Sequence, residues 1–297
     1  MVDSNENDSN VQHEEVIIIG WLSLVTCIIF LVIQITTTLI LYVKTEFVRK
    51  NSTYIIIIME GLFYFVQQLI HLFSSLMCIF EFKIDYHFEI IIGSFLNFLY
   101  NASIFFGLIL TTNRFITFFR ISELYSSFVI IFSVITLGSL IGIDIFLFIY
   151  YNEEELAIRF NAPYCFWDYK THYKSTVAFI ENRLLIVVNT CSIVLLIFIL
   201  IKLFLEKYIF GVNIRKINDY EIFLMFRILV NLIFFIILEV LWEYGVLLFP
   251  GNLFLYTSIN YVFLMFSGKD CIMNLLFLRE IKDTLSKKIF AVWSFFK

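Results

Sequence analysis

Apolar residues run along this chain in unbroken stretches of 23 to 30 positions, separated by short clusters of charge, Asn, Ser or Pro-Gly. A hydrocarbon core about 30 Å thick takes about 20 helical residues to cross, so each stretch is long enough for a membrane span. Seven spans are predicted, at residues 16–43, 54–80, 90–112, 126–150, 183–205, 220–249 and 253–278. Only Pro250-Gly251-Asn252 divides the last two, and this is strong turn chemistry. It reads as a tight outer hairpin. A membrane β-barrel would show alternating polarity in segments of about ten residues, and the continuous runs do not fit it. The predicted fold is an all-α membrane protein, a single seven-transmembrane helix bundle over residues 1–297.

Composition excludes the soluble alternatives. The chain is 61% hydrophobic and 15% charged, with mean hydropathy +0.90, against about 25% charged residues in soluble domains. With 21 basic and 25 acidic residues, it has no basic excess for nucleic acid. The tail 1–15 holds five acids and no Lys or Arg. With that tail outside, the inner side carries 15 basic residues and the outer side five. This asymmetry predicts the N-terminus outside and the C-terminus inside. No cleavable signal is expected, because there is no basic n-region and the first apolar run is too long. A multi-pass plasma-membrane protein is the expected class, with lipid as its first partner.

The longest predicted loop, 151–182 on the outer side, holds Pro163, Cys165, Trp167 and a Tyr-rich stretch. It reads either as a lid packed over the bundle mouth or as an interfacial aromatic belt. Of five cysteines, Cys78 and Cys165 fall in an oxidising setting, as a disulfide or with Cys78 a buried thiol. Cys191 and Cys271 read as core or lipid-facing residues. Asn7-Asp8-Ser9 is a glycosylation acceptor pattern in the outer tail. Residues 279–297 are amphipathic and predict a short helix lying on the inner membrane surface.

Ionisable residues inside spans are costly and therefore candidates for function. Glu60 in span two and Lys269-Asp270 in span seven fall at similar depth in the inner half. Two pairings stand, Glu60 with Lys269 or Lys269 with Asp270, and such a pair acts as a switch or as a structural rivet. Asp144, Glu239 and Glu243 lie toward the outer half. With Asn97, Asn101, Asn260 and the loop residue Trp167, Glu239 and Glu243 make a candidate ligand pocket. His71 reads as a core histidine. No metal-ligand spacing, nucleophile constellation or phosphate-binding loop is present, so neither an enzyme nor a cofactor is expected.

At the inner end of span three stands Thr111-Thr112-Asn113-Arg114-Phe115. With seven N-out spans and short loops, this resembles G-protein-coupled receptors, whose Arg at this point faces the G-protein cavity. Leu110-Thr111-Thr112-Asn113-Arg114-Phe115, the 37 Phe residues and the ending Asn274-Leu275-Leu276-Phe277-Leu278-Arg279 resemble nematode serpentine chemoreceptors, in the grouping that includes class gamma. The resemblance implies a chemosensory receptor, located in sensory cilia, for an external small molecule. It further implies coupling to a heterotrimeric G protein through Arg114 and Asn113 with Arg120, Arg215 and Lys216, although inner-side bases such as Arg215 and Lys216 also read as topology alone. Asn113 stands where rhodopsin-like receptors carry the acid of the ionic lock. Both prolines, Pro163 and Pro250, lie in loops, so helix bending falls to Gly268 or Gly245. The alternative is a seven-span ligand-gated channel or transporter subunit, which would place the N-terminus inside.

Overall fold

Long helices dominate the computed structural model, which describes residues 3–43, 52–119, 138, 158–169, 176–208, 219–245, 248–249, 252–278 and 281–284. Predicted span four with Asp144 (Gly138 apart), the inner-segment residues Arg120, Arg215 and Lys216, and most of the amphipathic tail lie outside the described residues. So do the side chains of Asn7 and Glu243. The elements are α1 (Asp3–Val43), α2 (Ser52–Phe80), α3 (Tyr86–Phe119), β1 (Ile158–Asn161), β2 (Phe166–Tyr169), α4 (Thr176–Tyr208), α5 (Asp219–Val240) and α6 (Leu253–Phe277). A single π-turn, Leu241–Gly245, extends α5.

These segments are rich in Ile, Val and Phe, residues that favour strands in water. A chain surrounded by hydrocarbon must satisfy every backbone N–H and C=O internally, and a helix does so within one segment. Five described helical stretches are long and apolar enough to cross a membrane: Glu14–Val43, Thr53–Phe80, Tyr86–Phe119, Phe179–Leu205 and Phe223–Val240. α6, with buried Lys269 and Asp270, is not among the five. Of the predicted Pro-Gly-Asn break, Pro250 and Gly251 lie outside the described residues. Asn252 caps α6, its side chain accepting from the Leu255 backbone N–H at 3.0 Å, which satisfies one of the orphan donors of a helix start.

Packing sorts each helix into two faces. α1 buries Cys27, Phe30, Gln34, Thr37 and Leu41 and exposes Leu22, Val25, Ile29, Val32 and Leu39. α1 packs on α2 and α6, α2 on α3 and α6, α3 on α4, and α5 on α6. The buried stripes are more polar than the exposed ones, as expected where apolar surface meets lipid and polar groups turn inward.

α6 runs as an unbroken helix through Gly268. A Cβ there would lie 2.0 Å from the Phe30 ring of α1, so the missing side chain is what lets the two helices meet. Gly268→Ala should force that ring aside and cost about 1–3 kcal/mol, the usual penalty for overpacking. The check is the thermal midpoint of the purified protein, and an unchanged midpoint would contradict this contact. Gly245 stands at the end of the π-turn, a departure from α-helical winding that recurs at functional positions.

Candidate functional site

Three helices each contribute charge to one buried cluster. Glu60 lies on α2, with Tyr64 one turn further. Arg227 lies on α5, with Asn231 one turn further, and Lys269, Asp270 and Asn274 lie on α6. Arg227 Nη2 is 2.6 Å from Glu60 Oε2, and both side chains are wholly buried. The same nitrogen is 3.4 Å from Asp270 Oδ2. Its neighbour Nη1 donates to Asn274 Oδ1 at 2.9 Å. One planar guanidinium thus ties α5 to both α2 and α6, using its fixed fork of donors. Asn231 Nδ2 adds a 3.4 Å contact to Glu60 Oε1.

Lys269 takes a second route into the cluster. Its Nζ donates to Tyr64 Oη at 3.2 Å and to the Phe266 carbonyl at 2.8 Å. Tyr64 in turn donates to Glu60 Oε1 at 3.3 Å. The ammonium also sits 3.6 Å from the centre of the Phe266 ring and 4.7 Å from that of Tyr64, a cation–π setting. Asp270 Oδ2 is 3.9 Å away. Two acids and two bases balance, which is what makes four charges tolerable in so dry a place.

The direct ion pair is therefore Glu60–Arg227, where sequence reasoning pairs Glu60 with Lys269. Lys269 reaches Glu60 only through Tyr64, while the Lys269–Asp270 pairing is present as the longer contact. Arg227 falls seven residues inside predicted span six, close enough to its end to be counted with the inner-side bases. A signal was there: Phe223, Leu224, Arg227, Ile228, Leu232 and Phe235 form one buried stripe at helical spacing, and Arg227 stands inside it.

A second polar cluster lies nearer the hairpin. Asn97 Nδ2 donates to Glu181 Oε1 at 2.6 Å, and Asn101 Nδ2 donates to the same oxygen. Tyr100 Oη donates to Glu239 Oε1 at 3.3 Å. Glu181 is the member missing from the sequence expectation, because α4 begins at Thr176 and takes it out of the loop and into the bundle, where it is 6% exposed. Asn260 is buried on α6. His71 is buried edge-on against Phe263.

Over this end lies the β1–β2 hairpin, antiparallel with Phe160 opposite Trp167. Cys165, at its turn, is disulfide-bonded to Cys78 at the end of α2, with Cα atoms 5.9 Å apart. Trp167 does not sit at an interface: it is 1% exposed, and its Nε1 donates to Ser74 Oγ on α2 at 2.8 Å. Phe166 packs on Trp242 and Tyr256. Glu89 accepts the Phe160 backbone N–H at 2.6 Å. Trp167 is thus core rather than pocket lining.

At the opposite end, Asn113 and Arg114 of α3 are buried, and both donate to Thr53 Oγ1 at the start of α2. The Arg expected to face a cytoplasmic partner is turned into the bundle. Thr53 is seven residues from Glu60 on α2, about 10 Å along the axis, so this contact and the charge cluster share one helix.

No protein-family model matches the sequence, and comparison with curated proteins gives no match.

Proposed function

We propose that this chain is a seven-transmembrane, G-protein-coupled chemosensory receptor with its N-terminus outside. An external small molecule binds at the hairpin end and shifts a two-state equilibrium of the bundle. A heterotrimeric G protein reads that shift at the Arg114 end. The layout of α2 carries this reading. One helix is tethered to the hairpin through Cys78 and Ser74, to α5 through Glu60, and to Arg114 through Thr53. A movement of α2 against α5 is felt at both ends. The lipid-suited exposed faces and the resemblance around Asn113-Arg114-Phe115 support the same reading. In the active state Arg114 leaves Thr53 and joins Asn113 and the basic residues Arg120, Arg215 and Lys216 in the partner surface.

Two measurements test it. Epitope tags on intact cells should find the N-terminus outside and the C-terminus inside, and an inside N-terminus would favour the channel alternative. Arg114→Ala should abolish G-protein coupling at unchanged surface expression. Thr53→Val keeps Arg114 but removes the hydroxyl it donates to, and should raise ligand-independent signalling. Wild-type basal signalling in Thr53→Val together with normal coupling in Arg114→Ala would overturn the roles given to Thr53 and Arg114, and an N-terminus inside with no G-protein response in the wild type would sink the receptor reading.

A further inference from the structure

Between α3, α4 and α5 lies a partly enclosed cavity with about 330 Å³ of empty space, its open side included. Its polar wall is Ser103 and Thr111 of α3, Asn189 and Ser192 of α4, and Asn231 of α5. Gly107 of α3 also lines it, and a Cβ added there would meet nothing within 4 Å. The cavity exists in part because that position has no side chain. α4 and α5, which wall it from two sides, barely touch each other.

The hydrogen-bond inventory of the wall is lopsided. Ser103 donates its hydroxyl proton to the Leu99 carbonyl, Thr111 to that of Gly107, and Ser192 to that of Val188. Each is thereby left with lone pairs only, and Ser103 Oγ already accepts from Gln67 Nε2 at 3.1 Å. Asn189 spends one of its two amide protons on the Leu185 carbonyl, and Asn231 spends one of its two on Glu60, so a head group that both donates and accepts suits the wall. Asn231 Oδ1 is buried and receives no donor. A buried acceptor without a donor is costly, so the wall favours an occupant that brings one. The rest of the lining is aliphatic and aromatic. The neighbouring charge cluster is balanced, so it offers no surplus charge to hold an ion, and an ion would have to be stripped of water to enter.

We propose that this cavity is a binding site, separate from the hairpin end, for a small uncharged molecule headed by a hydroxyl or a primary amide. Its donor is received by Asn231 Oδ1, and its apolar remainder lies between α4 and α5. Because Asn231 also contacts Glu60, occupancy bears directly on the Glu60–Arg227 pair.

The test is saturation-transfer NMR on the purified full chain in phosphatidylcholine nanodiscs, comparing 2-butanol with butanone. The two have nearly the same shape, and only the alcohol donates. Protein-dependent transfer should favour the alcohol by about threefold to tenfold, the worth of one net hydrogen bond. In Gly107→Leu, whose side chain fills the cavity, transfer should fall to the level of empty nanodiscs. Should that variant fail to fold, Asn231→Leu, which keeps the volume and removes the acceptor, should equalise alcohol and ketone. Equal transfer to both probes in the wild type, or an alcohol preference that survives Asn231→Leu, overturns the proposal. The readout is binding alone, so it stands or falls apart from the signalling assays above.

Discussion

Arg227→Met is expected to destabilise the folded protein by about 3–5 kcal/mol, the cost of leaving a buried charge without its partner. Removing the guanidinium leaves Glu60 and Asp270 facing a single cation, Lys269, with Glu60 reached only through Tyr64. The cluster changes from neutral to net negative in a site buried from bulk solvent. The double variant Arg227→Met/Glu60→Gln returns the balance to one acid and one base, Asp270 and Lys269, 3.9 Å apart. It should therefore recover much of the loss. Thermal unfolding of the purified single and double variants measures both terms, and the cycle isolates their coupling. Two additive losses would show that Glu60 and Arg227 do not act as a pair. On the receptor reading proposed above, a pair that only rivets the bundle predicts normal signalling in the double variant, and a pair that is the switch predicts a folded double variant without a ligand response.

Trp167→Ala should cost about 3–5 kcal/mol, the usual range for emptying a buried aromatic site. This is the largest effect expected from any single residue of the hairpin. Trp167 is among the largest side chains buried to below 2% exposure, and it fills the space under the hairpin beside Phe160. Trp167→Phe keeps most of that volume and gives up the bond to Ser74, so its cost should be nearer 1 kcal/mol. Cys78→Ser should cost about 2–4 kcal/mol by freeing the loop closed between residues 78 and 165. Limited proteolysis of residues 158–169 together with thermal unfolding separates the two effects. Loss of the disulfide loosens the tether, whereas loss of Trp167 empties the seat. A hairpin that stays protected in Trp167→Ala would show that its hold is backbone and disulfide alone.

How much of this was legible beforehand differs from residue to residue. The continuous apolar runs predict long helices because length and hydropathy are local properties, and the break at Pro250-Gly251-Asn252 is a local turn chemistry. The pairing of Cys78 with Cys165 was one of two readings, and it is present. Glu181 falls in the loop by the predicted boundary at Arg183, whereas α4 starts at Thr176, seven residues earlier, and carries this buried carboxylate into the bundle. Arg227 was hidden for a different reason. Near a span end, a base that snorkels to the interface and a base that turns inward have the same sequence signature. Arg114 shows the same ambiguity at the end of α3, where only the position of Thr53 on α2 decides its direction.

The sequence alone determined that the chain is helical and lipid-suited, because hydrocarbon leaves backbone groups no partner outside their own segment. It also determined which positions are expensive, since any charge in an apolar run must find a partner. Which partner it finds depends on how the helices rotate and how deeply they sit against one another. That is set by contacts such as Phe30 on Gly268 and Gln34 on the Gly61 carbonyl. The Glu60–Arg227–Asp270 arrangement joins residues up to 210 positions apart in the chain, and only the tertiary structure brings them within reach of one guanidinium.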